Sequence, residues 1–382
     1  MQDQTTCRLC AHGETEAALT LERAPRNIQN LLREEDLGRD SPISLQVRRC
    51  RRCGFVQIPP VLDDAYYDDY LMATTHSAQM QSYQARQASD FVTRFGLAGK
   101  KVFEAGCGDG NFLDHLKTAG ARVYGIEPSQ RFRALALERH HPVEGGYLTA
   151  DRRLPDGPFD GFVTRQVLEH VPDIHDFLTG IRRNLVTGAH GLIEVPSLEK
   201  AIQDRRYYDF FTDHVNYFSR DTLRLALSLN GFEVLETYPD MYDEYNVALV
   251  RAIDPPDLSG IQQASSELAG DLREFVKQHH ARGQRVAVWG AGGKGLSVLA
   301  SAGIESLDLL VDSDPGKQGR YTPVSHFLVH APTVANLGTV DAIVITAMAY
   351  RKEIEALLRS RYGFKGTVAV LGHRLEVSET PQ

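Results

Sequence analysis

Two stretches of this chain run a short apolar strand into a cluster of glycines and then into a helical pattern: KVFEAGCGDGNFLDHL at 101–116 and RVAVWGAGGKGLSVL at 285–299. No feature constrains the fold more. A strand that ends in a glycine turn and starts a helix is the opening of an α/β unit, in which parallel strands form a sheet and helices cover it. The first unit continues with ARVYGIEPS, a strand ending in Glu127, and with strands in FDGFVTR and GLIEVP. The second continues with LDLLVDSD, a strand ending in Asp312, and with VDAIVITAMAY. In the first unit the backbone at Gly106, Gly108 and Gly110 can approach a ligand closely. Glu127 stands where an acid accepts both hydroxyls of a ribose. Taken alone, G-x-G-x-G suits a nicotinamide as well as another nucleoside cofactor. The second glycine turn suits a phosphate, or only packs.

The amino-terminal segment reads CRLC at 7–10 and RRCRRC at 48–53, so Cys7, Cys10, Cys50 and Cys53 form two C-x-x-C knuckles. Each offers two thiolates from one tight turn, and four thiolates make the closed tetrahedral site that zinc favours in a structural role. A redox pair normally accompanies a different fold context. Arg48, Arg49, Arg51 and Arg52 flank the second knuckle and are read as offsetting the charge of a four-thiolate site. The long gap between the knuckles predicts an inserted loop around REEDLGRDSP.

The chain has 382 residues, more than one ordinary core accommodates. With 42 Lys and Arg against 50 Asp and Glu, its net charge of -8 argues against nucleic acid as a partner. No apolar run approaches the roughly 20 residues that cross a bilayer, and MQDQTTC lacks the pattern of a secretory signal. A cytoplasmic protein without a membrane partner is expected. Five cysteines, an odd number, fit ligands and a buried thiol better than disulfides, and Cys107 reads as a small buried filler. From about Ser77, the spacing of Met80, Tyr83, Ala88, Phe91, Val92 and Phe95 predicts an amphipathic helix. A proline-marked linker, IDPPDLSG, precedes the second α/β unit.

E-A-G-C-G-D-G at 104–110, the acid Glu127 and V-L-E-H-V at 167–171 together resemble class I S-adenosylmethionine-dependent methyltransferases over roughly residues 85–250. The resemblance implies that Glu104, Gly106, Gly108 and Gly110 line the methionine portion of the cofactor and its loop. By the same resemblance Glu127 holds the ribose, and Arg165 and Gln166 close over the cofactor. His170 is read as a helix-start histidine with a catalytic alternative. Adding the four-cysteine module and the carboxy-terminal G-A-x-x-K-G and K-Q-G-R-Y, the whole chain resembles the three-part nucleotide-sugar C-methyltransferases. The fold expected is therefore α/β: a zinc-binding module at 1–65, a Rossmann-like class I methyltransferase domain with a linker helix at 66–253, and a second Rossmann-like domain at 254–382. In that family the last domain helps form the acceptor cleft, which makes Lys294, Lys317, Gln318, Arg320 and Tyr321 acceptor-side candidates.

DFFTDHVNYFS at 209–219 sets an acid and an imidazole among aromatic rings. The family has Y-H-E-H followed by Y-F-S here, and its last histidine is taken as the base that removes a proton beside a ketone. His214 matches that base, Asp213 stands for a glutamate and Phe211 for a tyrosine. Asp213 is read as orienting or activating the ring, Tyr217 as a donor to the developing oxyanion, and Tyr70 as the counterpart of a tyrosine-rich loop. The small-molecule acceptor expected is a nucleotide-linked keto sugar. O- or N-methylation of another metabolite, an inactive binding protein and a nicotinamide oxidoreductase are the alternatives.

Overall fold

The computed structural model describes residues 6–26, 28, 31–60 and 77–379, and the chain divides into two compact units, Met1–Pro255 and Pro256–Gln382. The tyrosine-rich stretch around Tyr70 lies outside the described residues.

In the first unit, β1 (Thr15–Ala24) and β2 (Ile43–Cys50) form an antiparallel hairpin that sets Thr15 opposite Cys50. A 3-10 turn at Glu34–Arg39 lies in the insertion between them. Strand β2 alternates, with Leu45 and Val47 turned inward, and pairs with the short β3 (Val56–Gln57). Helix α1 (Ala78–Arg94) starts at Ser77, whose hydroxyl accepts the Met80 N–H, and buries Met80, Tyr83, Ala88, Phe91 and Val92 along one face.

The chain then alternates strand and helix: β4 (Lys101–Ala105), α2 (Asn111–Thr118), β5 (Arg122–Glu127), α3 (Gln130–Glu138), β6 (Val143–Gly145), β7 (Phe159–Arg165), α4 (Ile174–Arg183) and β8 (Leu185–Pro196). It closes with α5 (Leu198–Gln203), β9 (Asn216–Tyr217), α6 (Arg220–Leu229), β10 (Phe232–Asp240) and β11 (Tyr245–Ala252). Seven of these strands form one sheet in the order β10-β11-β8-β7-β4-β5-β6, with β11 antiparallel to both neighbours. Strands β4 to β6 step one way from the centre, and β7 and β8 step the other. The order therefore reverses between β4 and β7, which opens a crevice at their carboxyl ends. Strand β9 does not join this sheet. It pairs with β3, Val56 opposite Tyr217, and so fastens 209–219 to the four-cysteine module.

The second unit opens with α7 (Ser259–Ala281), followed by β12 (Val286–Trp289), α8 (Gly293–Ala302), β13 (Leu309–Val311), β14 (Val329–His330), α9 (Val334–Leu337), β15 (Ala342–Ile345), α10 (Arg351–Ser360), β16 (Thr367–Leu371) and β17 (Leu375–Glu379). Its sheet, β14-β13-β12-β15-β16-β17, is parallel except at β17, and its inner strands are buried on both faces. Among the described residues, no helix is long and apolar enough to cross a membrane.

In the sheet of the first unit, β8 passes close against Phe162 of β7. A Cβ on Gly191 would sit 2.0 Å from that ring, which is itself buried. Gly191→Ala is expected to destabilise the protein by about 1–3 kcal/mol through overpacking, read as a lower urea midpoint. An unchanged midpoint would contradict this account.

Candidate active site

The crevice holds a cavity of about 760 Å³, within the range that takes small-molecule and cofactor ligands. On one side runs the loop between β4 and α2. Gly106 adopts φ +77°, and a Cβ there would lie 2.4 Å from Val167 Cγ2, so only glycine fits. At the end of β5, the Glu127 carboxylate accepts the N–H groups of Gly108 and Ser129, each at 2.9 Å. Those two bonds fix its direction and leave lone pairs for a ligand's hydroxyls. Cys107 is buried beneath the loop, and burial pushes its thiol well up, so it stays protonated and acts as filler.

Glu104 lies at the base of the same cavity. Burial pushes its carboxyl up to about 8 against the pull of Arg165, and its Oε2 has no hydrogen-bond partner among the described residues. An orphaned acidic oxygen facing a nucleoside-sized cavity suits the ammonium of a methionine portion. Arg165, at the end of β7, donates to Glu194 Oε1 at 2.7 Å while its guanidinium lies 4.5 Å over the Phe112 ring. Gln166, at φ +54°, reaches the same oxygen at 3.3 Å. Tyr83 and Gln87 satisfy the other oxygen. Glu194 is fully buried and organises this wall, yet sequence reasoning missed it; the one signal was an acid inside the apolar strand GLIEVP.

The opposite wall carries His170 and His214, whose rings meet edge to face at 4.7 Å, with Phe211 4.2 Å from His214. The Asp213 carbonyl oxygen accepts from His170 Nδ1 at 2.9 Å, so that nitrogen bears the proton and Nε2 is left with a lone pair. Burial pushes both imidazoles down, His170 to about 4 and His214 well below the usual range, and both are neutral at neutral pH. The Asp213 carboxylate lies 3.8 Å from His170 Nδ1, so the acid adjacent to His214 in sequence faces the other histidine. Tyr217 departs from its expected role. Its hydroxyl accepts the Phe211 N–H at 3.0 Å and donates to the Phe211 carbonyl at 3.2 Å, so its proton is already spent, and the residue does not line the cavity.

A methyltransferase domain family matches residues 80–237, and a C-methyltransferase C-terminal domain family matches 256–370. The C-methyltransferase NovU of Streptomyces niveus is 25% identical over 380 residues, covering 91% of this chain and 90% of that protein. These matches support an S-adenosylmethionine-dependent C-methyltransferase. A ubiquinone biosynthesis O-methyltransferase of Pseudomonas aeruginosa is 39% identical over 88 residues, 21% of this chain and 37% of that protein. Among solved structures, magnesium protoporphyrin IX methyltransferase of Synechocystis PCC 6803 aligns at a TM-score of 0.38 with 19% identity, over 50% of this chain and 90% of that one.

Away from the cavity, this C-methyltransferase gathers Cys7, Cys10, Cys50 and Cys53 with all four sulfurs within 4.8 Å of one another. Cys7 to Cys53 and Cys10 to Cys50 are each 3.7 Å. A tetrahedral ion with Zn–S bonds of about 2.3 Å sets its sulfurs about 3.8 Å apart, so the cluster has the dimensions of a four-thiolate site. The neighbouring arginines are engaged elsewhere, Arg49 and Arg51 with Glu16 and Arg48 with Thr15, which weakens their expected role in offsetting thiolate charge.

In the second unit of the C-methyltransferase, Asp312 accepts the N–H groups of Ala291 and Asp314, as Glu127 does in the first. Here Lys317 Nζ also pairs with it at 2.9 Å, and Gln318 binds its carbonyl oxygen. Lys317 and Gln318 are thus partnered within their own turn. Lys294, Arg320 and Tyr321 are exposed on this unit, and Gly319 takes φ +76° between them.

The neutral histidine wall predicts an acid-sensitive fold. The unfolded chain protonates His170 near 6.5, whereas the native ring resists protonation until about 4. Native stability from this group is therefore full above about 6.5 and is lost as pH falls towards 4, by about 3 kcal/mol in total. The stability advantage of wild type over His170→Asn should shrink by that amount between pH 7 and 4 in urea titrations; a constant difference would refute the assignment.

Proposed function

We propose that this C-methyltransferase moves a methyl group from S-adenosylmethionine to the carbon beside the carbonyl of a nucleotide-linked keto sugar, with His214 as the base and a structural zinc ion held by the four cysteines. The observation that carries the reading is the placement of a neutral His214 imidazole in the cavity that also holds the glycine loop and Glu127. Carbon methylation next to a carbonyl needs an enolate, and a neutral imidazole can accept the proton whose loss creates it. Phe211 against the His214 ring excludes water, which protects an enolate from reprotonation before the new carbon–carbon bond forms.

Glu104, the glycine loop, Glu127 and Arg165 would hold the cofactor. Bound there, S-adenosylmethionine supplies an electrophilic methyl group. His170, fixed through Nδ1 to the Asp213 carbonyl, lines the same cavity. The sugar assignment rests on the likeness of F-T-D-H-V-N-Y-F-S to the nucleotide-sugar enzymes, and the acceptor-side roles of Lys294, Arg320 and Tyr321 rest on the same likeness.

The test is methyl transfer from isotopically labelled S-adenosylmethionine to a panel of nucleotide-linked 4-keto sugars, with mass spectrometry locating the added mass. A carbon-bound methyl is expected, and His214→Asn should lose about 10²- to 10⁴-fold in turnover while cofactor affinity survives. A methyl on oxygen or nitrogen of another metabolite would replace the sugar reading, and full turnover in His214→Asn would remove the base.

The purified protein should carry about one zinc per chain, in keeping with a closed four-thiolate site. Stripping it should unfold the amino-terminal module, since such sites contribute apparent free energies of about 10–16 kcal/mol. Well under one zinc per chain, in protein that is folded, would overturn the metal assignment.

A further inference from the structure

Arg8 stands inside the first C-x-x-C knuckle, between Cys7 and Cys10, and its guanidinium ends on the segment that follows His214. Nη1 donates to the Val215 carbonyl at 2.6 Å and to Asn216 Oδ1 at 2.8 Å, and Nη2 donates to the Ile58 carbonyl. Both hydrogens of Nη1 are thereby spent on two consecutive residues. The other end of the side chain is fixed by the knuckle. Buried Gln57 accepts the Arg8 N–H at 2.9 Å and donates to the Thr6 carbonyl at 3.0 Å, which brackets Cys7 from both sides.

The strand pairing at 216–217 is too short to hold this segment by itself. Strands β3 and β9 share two residue pairs, Val56 with Tyr217 and Gln57 with Asn216. Such a ladder sets register weakly, and a slip of one residue turns every side chain to the opposite face. Arg8 removes that freedom, because a planar guanidinium offers its donors in one fixed fork. Asn216, 1% exposed, passes the constraint on. Its Oδ1 accepts from Arg8 while its Nδ2 donates to the carbonyls of Leu168 and Val171, which flank the turn that carries His170. His214 directly precedes Val215. The two rings that meet edge to face at 4.7 Å therefore each lie within two residues of a group tied to Arg8, directly or through Asn216.

We infer that Arg8 is a positioning residue for methyl transfer, which carries the order of the cysteine knuckle to the histidine wall of the cavity. This rests on the enolate reading and on the four-thiolate site proposed above. A closed knuckle fixes the turn from Cys7 to Cys10, the turn fixes Arg8, and Arg8 fixes Val215 and Asn216. Opening the knuckle releases 209–219 and leaves the glycine loop and Glu127 in place, since neither bonds to Arg8. A general base works only within hydrogen-bond reach of the proton it removes, so a loosened segment lowers turnover more than it weakens binding.

Arg8→Met keeps the stem and removes the fork. In the zinc-loaded variant, turnover should fall about 10- to 100-fold while zinc content, cofactor affinity and acceptor KM stay within a few-fold of wild type, and Arg8→Lys should recover part of the loss. Backbone hydrogen exchange of the cofactor-free protein reads the same anchor without chemistry. Residues 209–219 should exchange about 10- to 100-fold faster in Arg8→Met, as expected for lost hydrogen bonds from a charged donor, with 101–116 at its wild-type rate. Wild-type turnover in zinc-loaded Arg8→Met would overturn the role of Arg8, and so would an equal loss of protection in both segments, which marks general destabilisation. The enolate reading is judged separately, by turnover in His214→Asn. Folded wild-type protein without zinc would overturn the coupling to the knuckle. Should neither Arg8 variant fold with zinc, chelator titration of the wild-type protein decides: loss of protection at 209–219 in proportion to the zinc removed, ahead of 101–116, supports the coupling, and any other order refutes it.

Discussion

The cavity end of the first unit depends on the hydrogen bonds that hold residues 213–217 against the turn after β7. Asn216 Nδ2 donates to the carbonyl oxygens of Leu168 and Val171, and the Val215 and Asn216 N–H groups donate to that of Glu169. On its other side, the same segment accepts the Arg8 guanidinium through Val215 O and Asn216 Oδ1, and β9 pairs with β3. Arg8 stands between Cys7 and Cys10. The cysteine cluster, the short antiparallel sheet and the histidine pair are therefore one mechanical chain. A module far from the cavity in sequence thus anchors the segment that follows His214.

Dehydration is the second organising constraint. The cavity wall combines buried imidazoles, buried carboxyls and aromatic rings, and each ionisable group is pushed towards its neutral form by the same cause. On the facing wall, Arg165, Gln166, Tyr83 and Gln87 hydrogen-bond the Glu194 carboxylate. The result is one polar wall with its hydrogen bonds made and another with unmet capacity. Unmet capacity in a dry cavity is what a ligand or a proton can use.

The two sheets share a plan and diverge in detail. Glu127 and Asp312 each end the second strand of a unit and each accept two backbone N–H groups. Only Asp312 also carries a lysine partner, Lys317, which neutralises the acid that a ribose would need. The first unit keeps its acid open to the cavity, and the second spends it on its own turn.

The glycine loop, Glu127 and the four cysteines are legible in the sequence because their geometry is local: a turn, a strand end or a C-x-x-C knuckle places its atoms within a few residues of backbone. Helix α1 is legible for the same reason, through its apolar spacing and Ser77 cap. Glu169, Glu194, the spent hydroxyl of Tyr217 and the turning of Asp213 towards His170 are not legible. Each is decided by partners tens of residues away, such as Val215 for Glu169 and Arg165 for Glu194. Sequence alone determined which residue types are present and the sheets that carry them. Which carboxyl faces which imidazole was decided only when the β7 turn met β9, because desolvation and hydrogen-bond satisfaction belong to the packed cavity and not to any segment of chain.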